Sequence, residues 1–298
     1  MARIICVGLA CLDYLFKVED LPGGGGKFFA DNYVAAPGGP AAAASIAVST
    51  LGHDAVFLGR LGDDDVGHDL ASKLTKRGVD ASGIRFIKDQ SSQVSSVVVD
   101  RTGERQIINF SSKQLDSDPS WLPKDIIADA DFLLADVRWL EGAETALKIA
   151  AEYDIPSLID ADISPVDTSR QIGLADYAVF SERGLDMYTG ETDLSRGLRN
   201  ATQKSGGWVA VTAGDRGSFW LRPNGVLTTC PAEIIDVVDT CGAGDVFHGA
   251  FAVALAEQMD IEEAIQFASI TASLKCVTFG GSLGVPTRSA VDEYLNNR

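Results

Sequence analysis

Short apolar runs alternate with helix-length amphipathic segments along most of the chain, and this alternation limits the possible folds more than any other feature. Apolar runs of this kind are typical of strands buried on both faces, and the amphipathic segments between them are typical of crossover helices. The pattern therefore predicts an α/β fold in which helices cover a mostly parallel sheet. Core strands are predicted at residues 4–7, 55–58, 132–135, 157–160, 177–180 and 208–212. Helices are predicted at residues 39–51, 66–77, 142–153, 194–204, 246–257 and 261–277.

Two regions interrupt the alternation because their strand-like segments are not each followed by a helix. In residues 12–36 such segments flank the glycine run 23–26, with the second at 27–36, and residues 93–110 form a predicted hairpin around Arg101-Thr102-Gly103. We expect a small lid sheet over the C-terminal ends of the main strands, where open α/β sheets bind ligands. No repeat or low-complexity linker divides the sequence, so residues 1–298 are expected to form one domain.

The segment Asp239-Thr240-Cys241-Gly242-Ala243-Gly244-Asp245 joins an apolar run at 234–238 to a small, apolar segment at 246–255. This order predicts a strand, a tight glycine turn and the start of a helix. The main-chain N–H groups of such a helix start favour an anion such as a phosphate. A carboxylate there would repel phosphate, so Asp245 is predicted to take the proton from a hydroxyl that attacks the phosphate. On these residues alone, the alternative is that Asp245 only caps the helix.

The formal net charge is −17, from 25 basic and 42 acidic residues. Nucleic acids and anionic membrane surfaces are therefore not expected as partners, because both require a positively charged face. An anionic small molecule is compatible with this charge only where a few lysines or arginines are placed locally. No apolar run in the sequence reaches the length that a bilayer-spanning helix needs.

The five cysteines are odd in number and form no CxxC pair, which predicts reduced thiols in the cytoplasm and not a disulfide framework. The first residues have a strand pattern and not that of a secretory signal. Cys241 could be a reactive thiolate, but a small filler is favoured because no histidine is adjacent in sequence. With only three histidines, a histidine metal site is not expected.

Together these features resemble the PfkB/ribokinase family of ATP-dependent sugar kinases, and the resemblance covers nearly the whole chain. The motifs that carry it are residues 8–13, the Gly38-Gly39 turn, residues 59–64 with Gly67, Thr212-Ala213-Gly214 with Gly217, and the turn at 239–245. The resemblance implies a ribokinase-like three-layer sandwich with a small β-sheet lid. It also implies that ATP donates the phosphoryl group and that Mg²⁺ accompanies it.

The resemblance assigns roles by position. Asp13 would accept hydrogen bonds from sugar hydroxyls, and the Gly38-Gly39 backbone would pack against the sugar. Asp245 would be the base for the attacking hydroxyl, taken as the one at C1 of a ketose. The N–H groups offered to the transferred phosphoryl would be those of Gly242, Ala243 and Gly244. ATP would lie against Thr212, Gly214, Gly217 and Thr240, with the adenine near residues 269–281.

Within the family, the chain is most similar to bacterial sulfofructose kinases, which phosphorylate 6-deoxy-6-sulfofructose in sulfoquinovose breakdown. The shared pieces are residues 38–42, 107–109, 134–139, 180–182 and 237–250. The similarity implies that Lys27, Asn109 and Arg138 hold the sulfonate. A sulfonate is a permanent anion with three acceptor oxygens, and a guanidinium, an ammonium and an amide donor suit it.

Each of these three residues also has a plainer explanation. Lys27 could be a solvated surface lysine, although it stands between the glycine run and Phe28-Phe29. Arg138, just past a predicted strand, could form a structural ion pair with Asp136 or Glu141. Asn109 taken alone is more typical of a strand or turn position than of a ligand contact.

The sequence departs from the family pattern at two positions. Ala43 stands where many relatives have an asparagine that touches the sugar, which argues against ribose-type recognition. Gly184 stands where the family's Asn-x-x-Glu segment has its glutamate. Asp162 and Glu182 are therefore the predicted supports for hydrated Mg²⁺, which prefers a few carboxylates with water and phosphate oxygens. The simpler alternative is that both are exposed acids of an acidic protein.

The sequence thus predicts an ATP-dependent kinase for the C1 hydroxyl of 6-deoxy-6-sulfofructose. The alternative within this class is a kinase for fructose, fructose 6-phosphate or a ribose-type sugar, because lysine and arginine would also hold a phosphate. The intact turn at 242–245 disfavours a catalytically silent binding protein, and the lack of GxGxxG after the first strand disfavours a nicotinamide oxidoreductase. The lid strands could also pair with those of a second chain in a homodimer.

Overall fold

Two sheets organise the computed structural model, which describes residues 1–112 and 115–297. The strands are β1 (Arg3–Gly8), β2 (Cys11–Lys17), β3 (Asn32–Gly38), β4 (Asp54–Gly62), β5 (Arg85–Ile87), β6 (Val94–Val99), β7 (Arg105–Phe110), β8 (Phe132–Asp136), β9 (Ser157–Ala161), β10 (Tyr177–Ser181), β11 (Trp208–Thr212), β12 (Ser218–Leu221) and β13 (Leu227–Cys230). The helices are α1 (Pro40–Thr50), α2 (Asp65–Lys76), α3 (Lys124–Ala128), α4 (Leu140–Glu152), α5 (Ser169–Ile172), α6 (Glu182–Thr189), α7 (Leu194–Ser205), α8 (Ala243–Ala256), α9 (Ile261–Lys275) and α10 (Arg288–Asn296), with short 3₁₀ helices at Gly214–Arg216 and Gly281–Gly284.

The main sheet has nine strands in the order β13-β12-β11-β10-β9-β8-β1-β4-β5. Its strands are parallel except at one edge, where β12 and β13 add an antiparallel hairpin. Every predicted core strand lies within a strand of this sheet, so the expected mostly parallel α/β fold is confirmed. No helix in the described ranges combines the length and the apolar character that crossing a membrane would require.

Helices cover both faces of the main sheet. Alternate residues of β1 show this, because Ile4 and Cys6 belong to a core with α1, α8 and α9, whereas Ile5 and Val7 belong to a core with α4. Burial on both faces explains why the strands are almost continuously apolar. On the first face α1 and α8 pack so closely that a Cβ at Gly249 would lie 2.5 Å from the Ala44 carbonyl oxygen. The two helices therefore need their small residues.

The second sheet is a four-stranded lid in the order β3-β2-β6-β7, with β2 and β6 parallel and the outer pairs antiparallel. The predicted strand at 27–36 is too long at its start, because β3 begins at Asn32. Asn32 pairs with Lys17, the last residue of β2, so residues before Asn32 have no strand beside them. Lys27 consequently lies in an exposed segment outside the sheet.

The strand predicted at residues 234–238 is wrong, since this segment has no regular secondary structure. After β13 the chain leaves the main sheet, and the Ile234 side chain is fully exposed. The N–H groups of Val238 and Asp239 both donate to the carbonyl of Cys276 at the end of α9, at 2.8 and 3.1 Å. These main-chain bonds, and not a strand ladder, hold the segment that enters the glycine turn.

Candidate active site

The glycine turn lies at the N-terminus of α8. Gly242 is the N-cap residue with φ of 76°, a left-handed conformation that favours glycine, and the helix begins at Ala243. The N–H groups of a first helical turn have no partner inside the helix, so they and the helix dipole can bind an anion. A Cβ built on Gly242 would lie 3.7 Å from Oδ2 of Asp245. The carboxylate and the candidate anion site are therefore direct neighbours.

Asp245 is half-buried, and its surroundings oppose its negative charge. Burial, first, and then the neighbouring charge of Asp160 raise the pKa of Asp245 to about 7, with further contributions from Asp162 and Asp13. His248 acts in the opposite direction. A carboxylate that titrates near neutral pH can accept a proton and release it again, which suits a general base.

His248 and Asp160 form a buried pair next to Asp245. Nδ1 of His248 lies 3.4 Å from Oδ2 of Asp160, and Nε2 lies 3.2 Å from the carbonyl oxygen of Val179. A carbonyl only accepts, so Nε2 carries the proton. Burial lowers the pKa of His248 and raises that of Asp160 well above its usual range. Sequence reasoning assigned neither residue a role, although a histidine inside a small, apolar helix was an available signal.

Asp13 lies on β2 with Gly38 directly beside it. A Cβ at Gly38 would lie 2.0 Å from Oδ2 of Asp13, so this position must be glycine. Gly39 has φ of 91° and leaves no room for a Cβ against the Leu9 carbonyl oxygen, 2.6 Å away. Burial raises the pKa of Asp13, whereas a hydrogen bond from Cys11 at 3.2 Å lowers it. Cys241 of the glycine turn packs with Leu15 and Val97 on the same face of the lid as Asp13, so this face of the lid lies against the turn.

Asn109 lies on the same face of the lid as Asp13. Asp13 is paired with Ser95 across β2 and β6, and Ser95 is paired with Asn109 across β6 and β7. Paired residues of adjacent strands point to one side of a sheet, and two strand spacings amount to about 10 Å. The lid therefore presents a carboxylate and an amide on its inner face, two strands apart.

Arg138 follows β8 and is engaged by neighbouring groups. Its Nη1 donates to the Ile163 carbonyl at 2.8 Å, and its Nη2 makes an ion pair with Oδ2 of Asp162. Its main-chain N–H donates to Oδ1 of Asp136 at 2.8 Å. Arg138 therefore does form an ion pair with a neighbouring acid, but its partner is Asp162 and not Asp136 or Glu141.

Lys27 lies apart from these residues. It belongs to the exposed segment before β3, and its Nζ lies 5.5 Å from the centre of the Phe29 ring. Within the described part of the chain, no hydrogen bond or ion pair joins Lys27 to Asn109 or Arg138. Of the three residues predicted to hold a sulfonate, the fold places Asn109 on the inner face of the lid and Arg138 beside Asp162.

The predicted nucleotide residues lie at the ends of β11 and β12 and next to the lid. Thr212 ends β11, and its hydroxyl donates to the Phe180 carbonyl at 3.4 Å. Gly214 and Gly217 have φ of 58° and 84°, and a Cβ at Gly217 would lie 2.1 Å from the Cys230 carbonyl oxygen. The Thr240 hydroxyl instead contacts the lid hairpin, where it donates to the Gly103 carbonyl at 2.9 Å.

The two acids predicted to support Mg²⁺ follow adjacent strands. Asp162 follows β9 and, besides its contact with Arg138, accepts a bond from the Ser181 hydroxyl at 2.7 Å. Glu182 begins α6 and makes an ion pair with Arg216. No group of three or more histidine, cysteine, aspartate or glutamate residues in the described part of the chain could hold a metal. Two carboxylates fit Mg²⁺ only where phosphate oxygens and water complete its shell.

Asp136 is a further site residue that sequence reasoning did not single out. It is fully buried at the end of β8 and accepts N–H bonds from Leu9 at 2.8 Å and Ala41 at 3.1 Å, besides that of Arg138. It therefore ties the β1–β2 connection to the start of α1. The sequence feature that could have identified Asp136 is an acidic residue at the end of an apolar run. By contrast, burial raises the pKa of Cys241 to about 12, which agrees with its prediction as a filler and not a thiolate.

The chain is similar to known carbohydrate kinases over nearly its whole length. The sequence profile described as pfkB family carbohydrate kinase matches residues 1–288. Bacillus subtilis ribokinase is 27% identical over 99% of this chain and 100% of its own, and rice fructokinase-1 is 31% identical over 89% and 90%. A provisionally named ribokinase from Agrobacterium tumefaciens has a crystal structure with a TM-score of 0.95 at 34% identity, covering 99% of this chain and 98% of that one. Arabidopsis thaliana ribokinase, solved with ribose and ATP, has a TM-score of 0.82 at 26% identity over the same shares.

Proposed function

The chain belongs to the pfkB family of carbohydrate kinases and is an ATP-dependent sugar kinase, and we propose that Asp245 is its catalytic base. The reaction would transfer the γ-phosphoryl group of ATP to a sugar hydroxyl. The observation that carries the proposal is the position of Asp245, a half-buried carboxylate with a pKa raised to about 7 beside the N-terminus of α8. The sugar hydroxyl would give its proton to this carboxylate while its oxygen forms a bond to the γ-phosphorus. The bond from that phosphorus to the β–γ bridging oxygen would break, and ADP would leave with the bond's electron pair.

The phosphoryl group would lie against the N–H groups of Gly242, Ala243 and Gly244. The turn fixes the direction of these donors before negative charge moves onto the transferred oxygens. The N–H of Ala243 donates to the Thr240 carbonyl at 3.2 Å, so it would share its hydrogen between that carbonyl and a phosphoryl oxygen. Thr212, Gly214, Gly217 and Thr240 would lie along ATP, with adenine near residues 269–281. The conformation at Gly214 supports this, because its φ is left-handed and nothing lies within 4 Å of the place a Cβ would take, which leaves main chain open to a ligand.

Mg²⁺ would be held through ATP phosphates and water by Asp162 and Glu182, which follow β9 and β10. Both acids are now paired with arginines, and the phosphates would compete for the same cations. Replacing either acid by alanine should raise the Mg²⁺ concentration that half-saturates turnover. An unchanged Mg²⁺ dependence in both variants would remove them from this role.

For the sugar, we propose an unsubstituted ketose or pentose as the main substrate class, since the relatives named above are ribokinases and fructokinases. Asp13 would accept from two adjacent hydroxyls, which a carboxylate can do at once. Gly38 makes room for this carboxylate, because a Cβ there would lie 2.0 Å from its Oδ2. Ala43, in place of an amide, favours fructose over ribose within this class.

A narrower candidate is 6-deoxy-6-sulfofructose, phosphorylated at C1. The specific observation that favours it is the row Asp13–Ser95–Asn109, which sets an amide about 10 Å from the hydroxyl-binding carboxylate. Arg138 could reach a sulfonate only by leaving its ion pair with Asp162. Lys27 would have to fold in from its exposed segment. A phosphate at the same end of a sugar would use the same three residues.

The test is one coupled assay of ADP formation with ribose, fructose, fructose 6-phosphate and sulfofructose at equal concentrations. The highest kcat/KM for fructose or ribose would support the main proposal, and the highest for sulfofructose would support the narrower one. Arg138→Ala should raise KM for an anionic sugar by about one to two decades, because a charged hydrogen bond contributes roughly 1.5–3 kcal/mol. An equal loss for fructose would show that Arg138 acts only through Asp162. If none of the four sugars leads to ADP formation, the proposed chemistry is contradicted.

We also propose that the protein is a homodimer joined through its lid sheets. The outer face of the lid carries apolar side chains, among them Phe16, Tyr33, Ile108 and Phe110. Ile108 is 73% exposed, and the rings of Tyr33 and Phe16 are in tilted contact, with 5.2 Å between ring centres. A contiguous apolar face on a sheet is typical of an interface, because a monomer seldom leaves one in water.

A further inference from the structure

The side chain of Lys275 is completely buried at the last residue of α9. Across residues 1–112 and 115–297, no other lysine or arginine belongs to the buried group. An ammonium group loses a large hydration energy on burial, so it stays charged inside a protein only where oxygen atoms replace the water. The burial of this ammonium group therefore indicates that its positive charge has a function.

The oxygens around the Lys275 ammonium come from Asp239. Nζ donates to the main-chain carbonyl of Asp239 at 2.7 Å and lies 3.7 Å from its carboxylate oxygen Oδ2. Asp239 is also fully buried. The C-terminus of α9 adds the negative end of a helix dipole at the same place. One lysine thus neutralises both a carboxylate and a helix end without help from solvent.

Asp239 in turn fixes the main chain on both sides of the candidate anion site. Its Oδ2 accepts from Gly280 and Gly281 at 2.9 and 2.8 Å, and its Oδ1 accepts from Cys241 at 2.8 Å. Cys241 immediately precedes Gly242 in the turn. The direction of the N–H groups at 242–244 therefore depends on where this carboxylate is held.

We propose that Lys275 is a positioning residue for phosphoryl transfer, whose ammonium acts as a built-in cation that holds Asp239 and thereby the glycine turn. The inference rests on the proposed role of that turn. It predicts that a shortened side chain leaves a space lined by the Asp239 oxygens. A small ammonium ion from solution can enter this space and restore the charge. An apolar side chain of the same length fills the space and cannot.

The experiment compares Lys275→Ala and Lys275→Met with the wild type in buffer whose only other cation is tetramethylammonium. Both variants should lose about 10- to 100-fold in kcat with little change in sugar KM, because misplaced donors affect the transition state more than the bound sugar. Ammonium or methylammonium should restore kcat of Lys275→Ala several-fold in a saturable manner. It should not restore kcat of Lys275→Met. The matched control is Lys76→Ala, which removes an exposed lysine from the last turn of α2 and should keep wild-type kcat in every salt.

Thermal unfolding in the same buffers separates the possible outcomes. Ammonium that raises the melting temperature of Lys275→Ala without raising kcat would overturn the proposal, because Lys275 would then only stabilise the fold. Wild-type kcat in Lys275→Ala without ammonium would also overturn it. If Lys275→Ala fails to fold in every salt, Lys275→Gln decides: a wild-type kcat contradicts a role for the charge, and a lowered kcat at an unchanged melting temperature supports it. If the wild type phosphorylates no sugar, the proposed function fails, whereas the ammonium-dependent melting temperature still reports the cation position.

Discussion

At the scale of single residues, the site depends on the carboxyl group of Asp245, whose ionisation is disfavoured by its surroundings. Asp245 is half-buried, and desolvation first and then the charges of Asp160, Asp162 and Asp13 raise its pKa. A helix cap needs no such surroundings, and the cap residues Asp64, Asp193 and Asp260 each accept an N–H of their own helix. No such side-chain cap bond is made at the start of α8. The unfavourable position of Asp245 is therefore best explained by proton transfer.

Replacing Asp245 by asparagine should nearly abolish transfer while ATP still binds. The base is lost, but the N–H groups of the turn remain, so kcat should fall by at least about 100-fold. Nucleotide affinity, measured by calorimetry, should be unchanged or higher because a negative charge is removed. The matched control is Asp193→Asn, a cap at the start of α7 outside the site, which should keep its kcat. Residual turnover above one tenth in Asp245→Asn would exclude the base role.

The pH dependence should show Asp245 in both activity and stability. The base must be unprotonated, so kcat/KM should rise about tenfold per pH unit up to a plateau above about 7. The folded state binds this proton more tightly than the unfolded state, whose pKa is about 3.8. Stability from this group is thus complete below about 3.8 and is lost as the pH rises to about 7. Asp245→Asn should therefore melt higher than the wild type at pH 8 and at the same temperature near pH 4, and a lower melting temperature at pH 8 would contradict this.

Residue-level prediction from sequence succeeded where one residue type has one physical use. Gly38, Gly39 and Gly242 could be recognised because no Cβ fits or because φ is left-handed. The partners of charged residues could not be predicted in this way. Arg138 contacts Asp162 and Lys275 contacts Asp239 only because separate strands and helices end at the same place.

At the scale of elements, the lid hairpin is fastened to the segment that enters the glycine turn. Arg105 on β7 donates to the Thr240 hydroxyl at 2.7 Å, and that hydroxyl donates to the Gly103 carbonyl. Gly103 also approaches Val237 so closely that a Cβ would lie 2.6 Å from its Cγ1. The hairpin and the segment before the turn are therefore in direct contact. The end of the run 234–238 is held by this contact and by the bond from the Val238 N–H to the Cys276 carbonyl, and not by a strand ladder.

Loosening this contact should admit water to the site. Arg105→Met removes the donor to Thr240 and should raise the sugar KM several-fold, with more ATP hydrolysed per sugar phosphorylated, because a lid excludes water from the transferring group. The ratio of ADP to sugar phosphate formed measures this directly. Arg101→Met is the control, since Arg101 lies on the same hairpin but pairs with Glu19. An unchanged ratio in Arg105→Met would show that the contact does not affect closure.

At the scale of the whole molecule, the order of the main elements could be predicted from the sequence because most buried strands are preceded or followed by a segment whose apolar residues recur at helical spacing. The lid was also predicted, as strands without helices. The sequence pattern alone could not predict which side chains of the lid strands face inward and which face outward. The register of β2 with β6 decides this, because a shift by one residue would turn Asp13 outward and Phe16 inward.

The outward face of the lid leads to the last prediction, on assembly. A charge in the middle of an apolar interface is costly, so Ile108→Asp should convert a dimer into a monomer of 31.5 kDa with an intact fold. Val226→Asp is the control, because Val226 is also exposed but lies beside the β12–β13 hairpin, away from the lid. Sedimentation velocity at micromolar concentration should give twice the chain mass for the wild type and for the control. A monomeric wild type, or a dimeric Ile108→Asp, would contradict assembly through this face. If the monomer also loses sugar affinity while keeping ATP affinity, then the second chain supports the lid that carries Asp13 and Asn109.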